Sequence, residues 1–218
     1  MSEKFVKKWG EREERQPPLG TRIKEAVRPP GPLKPRLDFS VRRIEVQIQR
    51  LDQATERFSE RDKSMFAKVV EAYSRQDLPH ANVFANELAE IRKMEKTVIH
   101  ARLALEQIVL RLKTVTELGG MVATLAPAVG VLRNVRTAIA GVLPDAGREL
   151  EQIGTLLSGI IMDAGQTTGL TLSFGATNED AQKILTEAAT VAEQRIKEKF
   201  PELPAGVPAV GERAQTQT

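Results

Sequence analysis

Apolar and small residues recur along the chain in steps of four and three, which is the spacing of a heptad-like helical stripe. The first stripe consists of Leu37, Val41, Ile44, Ile48, Leu51, Thr55, Phe58, Met65, Val69 and Ala72. One charged residue, Asp62, interrupts it. The second stripe consists of Ala81, Phe84, Leu88, Ile91, Met94, Val98, Ala101, Leu105, Ile108, Leu112 and Val115. Each stripe predicts one long amphipathic helix.

A turn between the two stripes predicts that the helices run antiparallel. Residues 76–79 read Gln-Asp-Leu-Pro, and a proline is well placed in the first turn of a following helix. We therefore expect a helical hairpin over residues 37–117, with arms of about 55–60 Å. Because one stripe per helix provides little core, we expect the hairpin to pack against further helices or against other copies.

After residue 117, glycines and prolines divide the chain into shorter predicted elements. Helices are expected within 118–164, followed by a Gly/Thr-rich joint at 165–175 and a closing helix at 178–200. Local signals set the boundaries: a helix at 124–142 bent near Pro127 and ended by Pro144, a helix at 148–163 capped by Asp145, and N-capping of the closing helix by Asn178. The predicted fold class is all-α, a long antiparallel hairpin followed by shorter helices.

Both ends of the chain contain several prolines. Six prolines lie within residues 16–36, and each lacks an amide hydrogen and clashes with a preceding helical turn. This stretch is predicted to be an extended, mobile linker. The predicted organisation is thus a short helix at 1–15, a linker at 16–36, a helical domain at 37–200 and a Pro-containing tail at 201–218.

The composition agrees with helices and disfavours catalysis. Aromatic residues make up only 4% of the chain, there is no cysteine, and the common residues are good helix formers. His80 and His100 are twenty positions apart, so they form no zinc-ligand spacing. The glycine-rich stretches lack the Lys-Ser/Thr of a phosphate-binding loop. We expect no enzyme activity, no catalytic residue, no cofactor and no metal.

The first residues predict a membrane-contact helix. Phe5, Val6 and Trp9 fall on one side of a helix, and Lys4, Lys7 and Lys8 flank them. This is a common pattern in helices that lie at a membrane interface. The alternative is a tail in which the tryptophan has no special role. No uncharged run reaches the ~20 apolar residues of a membrane span, and the first ten residues lack the apolar core of a signal peptide. We therefore expect a cytoplasmic protein at the membrane surface.

Charge is distributed unevenly. Residues 1–36 carry ten Lys/Arg and five Asp/Glu, whereas residues 145–202 carry five and ten. An acidic closing helix can therefore fold back on the hairpin and be displaced on assembly. Arg42, Arg43 and Arg50 lie off the apolar stripe and are candidates for a polymer interface.

The tail that follows the closing helix combines apolar residues with prolines. Residues 200–208 read Phe-Pro-Glu-Leu-Pro-Ala-Gly-Val-Pro, a strip already extended that can lie in a groove between helices. The alternative is a solvated terminal linker.

In this order, the hairpin, the shorter helices, the acidic closing helix and the proline-containing tail resemble the archaeal CdvB-type ESCRT-III family of cell-division proteins. The resemblance covers residues 33–208 and implies a subunit that polymerises with itself and with paralogues at the division site, and constricts and cuts the membrane. It also implies removal by an AAA ATPase whose MIT domain binds Phe200, Pro201, Leu203, Pro204, Val207 and Pro208. Longer members carry a further C-terminal segment, whereas ten residues follow Pro208 here. The chain therefore looks like a shorter paralogue.

Other function classes share part of these features. A coiled-coil adaptor would also contain the hairpin, and a membrane-stress polymer of the phage-shock type has a similar helical architecture. A nucleic-acid-binding protein fits the sequence pI of about 9.2, but the hairpin is nearly balanced in charge and the basic end lacks interleaved aromatic residues for stacking on bases.

Overall fold

Five α-helices account for the part of the chain that the computed structural model describes, which is residues 32–114, 118–168 and 174–200. They are α1 (Leu33–Ser74), α2 (Leu78–Lys113), α3 (Leu118–Ile139), α4 (Pro144–Thr168) and α5 (Phe174–Lys199). These ranges contain no β-strand, and the predicted all-α fold class is confirmed.

Helices α1 and α2 form the predicted hairpin through the two apolar stripes. Leu51 in α1 and Leu105 in α2 are both fully buried and belong to the same core. Asp62 is buried as well, at 5% exposure, and its Oδ1 accepts a hydrogen bond of 2.6 Å from Nε of Arg92 in α2. The charged interruption of the stripe is tolerated because an arginine of the opposite helix compensates it.

The turn of the hairpin is the one predicted from sequence. Gln76 has a φ of 60°, and its amide donates to the carbonyl of Tyr73 while the amide of Asp77 donates to the carbonyl of Ala72. These two bonds form a Schellman motif, which ends α1. The side chain of Asp77 then caps α2 by accepting a bond from the amide of His80 at 3.3 Å.

The first helix begins earlier than the sequence predicts. Helix α1 starts at Leu33 rather than at residue 37, so Pro35 lies in its first turn and not in the linker. The amides of a first turn have no acceptor within the helix, so a proline there removes no hydrogen bond. The predicted linker therefore ends before Leu33.

The shorter helices are longer than predicted. Helix α3 starts at Leu118 rather than at residue 124 and continues through the buried Pro127. Pro144 is the first residue of α4, which places Asp145 inside the first turn instead of at the N-cap. Asn178 likewise lies inside α5. Packing of the apolar faces outweighs the unfavourable glycine and proline propensities and moves the boundaries away from the local cap signals.

Helices α3 to α5 cover one end of the hairpin. Helix α4 packs on α1, helix α5 packs on α2, and α3 contacts α2, α4 and α5. All five helices contribute to this main core, and we call this part of the molecule the body.

The other end of the hairpin has a separate core. It consists of Met65, Val69, Ala85, Leu88 and Ile91, all from α1 and α2. We call residues 63–91 the tip, and the Asp62–Arg92 pair lies where the tip meets the body.

Helices α3 and α5 approach each other closely at Gly130. A Cβ atom added at Gly130 would lie 3.1 Å from the Cβ of Ala181, which is itself fully buried. Glycine at this position therefore permits the contact that holds α5 against the body.

Candidate interaction surfaces

The closing helix α5 lies against the hairpin through acidic side chains that face basic ones. Glu193 is 2.5 Å from Nζ of Lys96, and Glu187 is 2.8 Å from Nη2 of Arg111. All four side chains remain between 42% and 56% exposed, so each pair contributes at most about 1 kcal/mol and is weakened by salt. The fold-back of the closing helix that the sequence suggests is thus the arrangement in the structure.

One titratable group on this contact, His100, has a shifted pKa. Burial lowers the pKa of His100 below its ordinary value of 6.5, and the nearby Glu193 carboxylate offsets part of this shift. The two side chains are 3.6 Å apart, too far for a hydrogen bond. The bond from Lys96 lowers the pKa of Glu193 below 4.5, so this residue is charged throughout the physiological range.

The C-terminal end of α5 makes a different contact, with a buried acid. Glu95 of α2 is 0% exposed, and its Oε1 accepts a hydrogen bond of 2.5 Å from Nζ of Lys199. The next residue, Phe200, places its ring 5.1 Å from the guanidinium carbon of Arg92. We call Arg92, Glu95, Lys199 and Phe200 the α5 clasp. Phe200 also belongs to the predicted ATPase-binding segment.

The three arginines predicted for a polymer interface lie in different environments. Arg43 is half-buried, and its Nη2 donates to Glu149 at 2.6 Å and to Gln152 at 2.9 Å, both in α4. Arg42 and Arg50 are exposed. Arg43 therefore joins α1 to α4 within one subunit, and only the other two are accessible to a partner.

Two further arginines extend the accessible pair along the same side of α1. Arg57 and Arg61 follow Arg50 at helical spacing and are exposed. Together with Arg42 they form a row of four exposed arginines, none of which takes part in an ion pair within the described ranges. Phe39 and Val46 lie among them, 50% and 45% exposed. The spacing of seven and four residues between Arg50, Arg57 and Arg61 indicates one helical side from the sequence alone. The predicted polymer interface includes only the first of these three.

Most residues predicted for the membrane and for the ATPase lie outside the described ranges. These are Lys4, Phe5, Val6, Lys7, Lys8 and Trp9 at the start, and Pro201, Leu203, Pro204, Val207 and Pro208 at the end. Among the helices that the structure describes, none combines the length and apolar character that crossing a bilayer requires.

Two archaeal cell-division proteins are similar to this chain. Cell division protein B1 of Sulfolobus acidocaldarius is 43% identical over 174 residues, which cover 80% of this chain and 81% of that relative. Cell division protein B of the same organism is 34% identical over 162 residues, covering 74% of this chain and 62% of that relative. No family model and no solved structure matches the chain.

Proposed function

The chain belongs to the archaeal CdvB family of cell division proteins, and we propose that it is a non-enzymatic subunit that polymerises on membranes and remodels them during division. Displacement of α5 would accompany assembly. The observation that carries this proposal is that α5 packs on the body through one stripe of mostly small buried residues bordered by exposed ion pairs, a contact that other subunits can replace.

The tip supports self-assembly. Its core comes from two helices only, and Val70, Leu78 and Val83 are 39%, 53% and 60% exposed there. Two helices alone bury little apolar surface, so a neighbouring subunit that covers the tip gains stability. The partners proposed are further copies of this chain and its paralogues.

The row of exposed arginines on α1 supports contact with an anionic membrane. Each basic residue near an anionic surface contributes about 1 kcal/mol, and many copies in one filament add their contributions. Together with the predicted helix at residues 1–15, this row would hold a filament at the cytoplasmic face of the membrane.

The tail is the proposed binding site of the ATPase. Leu203 and Val207 are each followed by proline, so little entropy is lost when the segment docks in a helical MIT groove. Micromolar affinity, about −8 kcal/mol, is attainable from two or three buried apolar residues. Replacing both residues by Asp should abolish binding of the family's ATPase in calorimetry and leave assembly unchanged.

Electron microscopy of the purified chain with vesicles of anionic and of neutral lipid tests the proposal. We expect filaments on the anionic vesicles, and more of them after truncation behind Gly175, which removes the closing helix. A protein that stays small and monodisperse at all concentrations, with and without lipid, would instead indicate a coiled-coil adaptor.

A further inference from the structure

A surface groove opens in the body where α2, α3 and α5 meet. Its volume is about 470 Å³, which lies within the range of pockets that hold small molecules. The space remains because mostly small side chains meet there. Each helix contributes two apolar residues to the walls: Ala101 and Ala104 from α2, Val135 and Ala138 from α3, and Leu185 and Ala189 from α5.

The polar side chains of this groove are basic or neutral. Lys93, Lys96 and His100 of α2 line it together with Asn134 of α3, and none of the described residues that line it is acidic. Apolar walls beside two ammonium groups are complementary to a molecule that has an apolar part and an anionic end.

The two lysines differ in how firmly they are held within the subunit. Lys96 pairs with Glu193 at 2.5 Å, and Glu193 does not line the groove. Lys93 is 76% exposed, and its Nζ lies 3.8 Å from a carboxylate oxygen of Glu90, too far for a hydrogen bond. Lys93 is therefore the group more available to an anionic ligand, and its flexible side chain can follow the position of that ligand.

We propose that this groove binds a small amphiphile with one apolar chain and one anionic end, such as a medium-chain carboxylate or an alkyl phosphate. The chain lies between the three helices, where it is removed from water. The anionic end lies beside Lys93 and Lys96, as a charge-assisted pair. The volume suits one short chain and is too small for the two long chains of a bilayer lipid.

Occupancy of the groove stabilises the contact of α5 with the body. A ligand there touches α2, α3 and α5 together, so it binds the closed subunit and not one from which α5 has detached. None of the four residues of the α5 clasp lines the groove, so the ligand holds α5 at a separate place. The site belongs to the closed subunit and does not depend on the proposed assembly on membranes.

Calorimetry of the full-length chain with decanoate, a ten-carbon carboxylate used below its micellar concentration, tests the site. We expect saturable binding of one decanoate per chain at submillimolar concentration. Ala138→Phe should weaken this binding at least tenfold, because Ala138 is exposed and lines the groove, so the ring fills the space without entering the core. Thr137→Phe is the matched control, since Thr137 is exposed on the same helix and does not line the groove.

The anionic end is tested with decanol, which has the same chain without the charge. Decanol should bind the parent more weakly than decanoate. Lys93→Gln should weaken the binding of decanoate severalfold and leave that of decanol unchanged, and this exposed substitution leaves the fold intact. Equal affinity of the parent for decanol and decanoate would overturn the assignment of an anionic ligand.

Hydrogen exchange tests whether the ligand holds α5. With decanoate at ten times its dissociation constant, exchange of α5 through detachment should slow about tenfold in the parent. It should not slow in Ala138→Phe, whose helicity is compared with that of Thr137→Phe by circular dichroism. Absence of saturable binding by the parent, or equal affinity of the two phenylalanine variants, would overturn the site. Binding that leaves exchange of α5 unchanged would overturn the placement of the ligand between the three helices.

Discussion

The body and the tip of the hairpin use the same two helices in different ways. In the body, α1 and α2 are covered by three further helices, and their buried residues belong to one large core. In the tip the same helices have only each other, with a core of five buried residues and three exposed aliphatic side chains nearby. The contrast shows that a continuous heptad-like pattern need not be covered equally along a hairpin.

The largest expected effect is the loss in free energy of unfolding when a buried leucine is truncated, and this loss should differ between the two regions. Leu105 in the body and Leu88 in the tip are both 0% exposed. Leu105→Ala should lower the free energy of unfolding by about 3–5 kcal/mol, because a cavity remains in a core that several helices hold in place. Leu88→Ala should cost about 2 kcal/mol, since a two-helix core can collapse around the missing atoms. Urea denaturation followed by circular dichroism measures both, and equal losses would contradict the comparison.

The second-largest destabilisation is expected for the ion pair between Asp62 and Arg92, where the tip meets the body. Asp62→Ala leaves Arg92 without its carboxylate partner and should destabilise the hairpin by about 3 kcal/mol. Replacing both residues by leucine should recover most of this loss. Hydrogen exchange should locate the effect at residues 58–66 and 88–96, and an unaltered exchange pattern there would argue against a structural role of the pair.

A smaller effect is expected where α3 meets α5. Gly130→Leu should weaken the packing of α5 by about 1–3 kcal/mol, because the new side chain overlaps Ala181. Gly154→Leu is the matched control, since a Cβ at that helical glycine has nothing within 4 Å. Faster exchange in α5 for the first variant alone is the predicted outcome. Equal behaviour of the two variants would mean that the close approach does not hold α5.

The smallest expected effect is a pH dependence that should occur in the body and not in the tip. His100 lies on the α5 contact and His80 at the tip. Because the pKa of His100 is below 6.5 in the folded protein, the detached state binds a proton more readily, and stability of the contact is lost as the pH falls below 6.5.

Exchange of α5, corrected for intrinsic rates, should therefore be faster at pH 5.5 than at pH 7.5. His100→Asn should remove this dependence, and His80→Asn should not. If exchange of α5 in the His100→Asn variant still depended on pH, another titratable group would be responsible.

The sequence predicts the hairpin well because helix periodicity is a local property. The turn and most positions of both apolar stripes agree with the structure, and α5 ends within one residue of the predicted position. Helix starts are less predictable: Asp145 and Asn178 are good caps locally, but burial of apolar faces extends both helices past them.

The polar contacts between distant segments could not be predicted from the sequence. Nothing in the local pattern around Glu95 indicates that it is fully buried or that Lys199, more than a hundred residues later, compensates it. Arg43 was predicted to face a partner because it lies off the stripe, and the structure pairs it with α4. The sequence places Phe200 in the predicted ATPase-binding segment, but only the structure shows its contact with Arg92.

The central claim is that α5 must separate from the rest of the body before subunits assemble, and a reversible crosslink between α3 and α5 tests it most directly. The chain has no cysteine, so Gly130→Cys with Ala181→Cys creates a single disulfide. The Cβ positions are 3.1 Å apart, close to the separation of about 3.5–4.5 Å in a disulfide. We expect the oxidised protein to form no filaments on anionic vesicles and the reduced protein to regain them. Filaments of equal number and length before and after reduction would contradict the account.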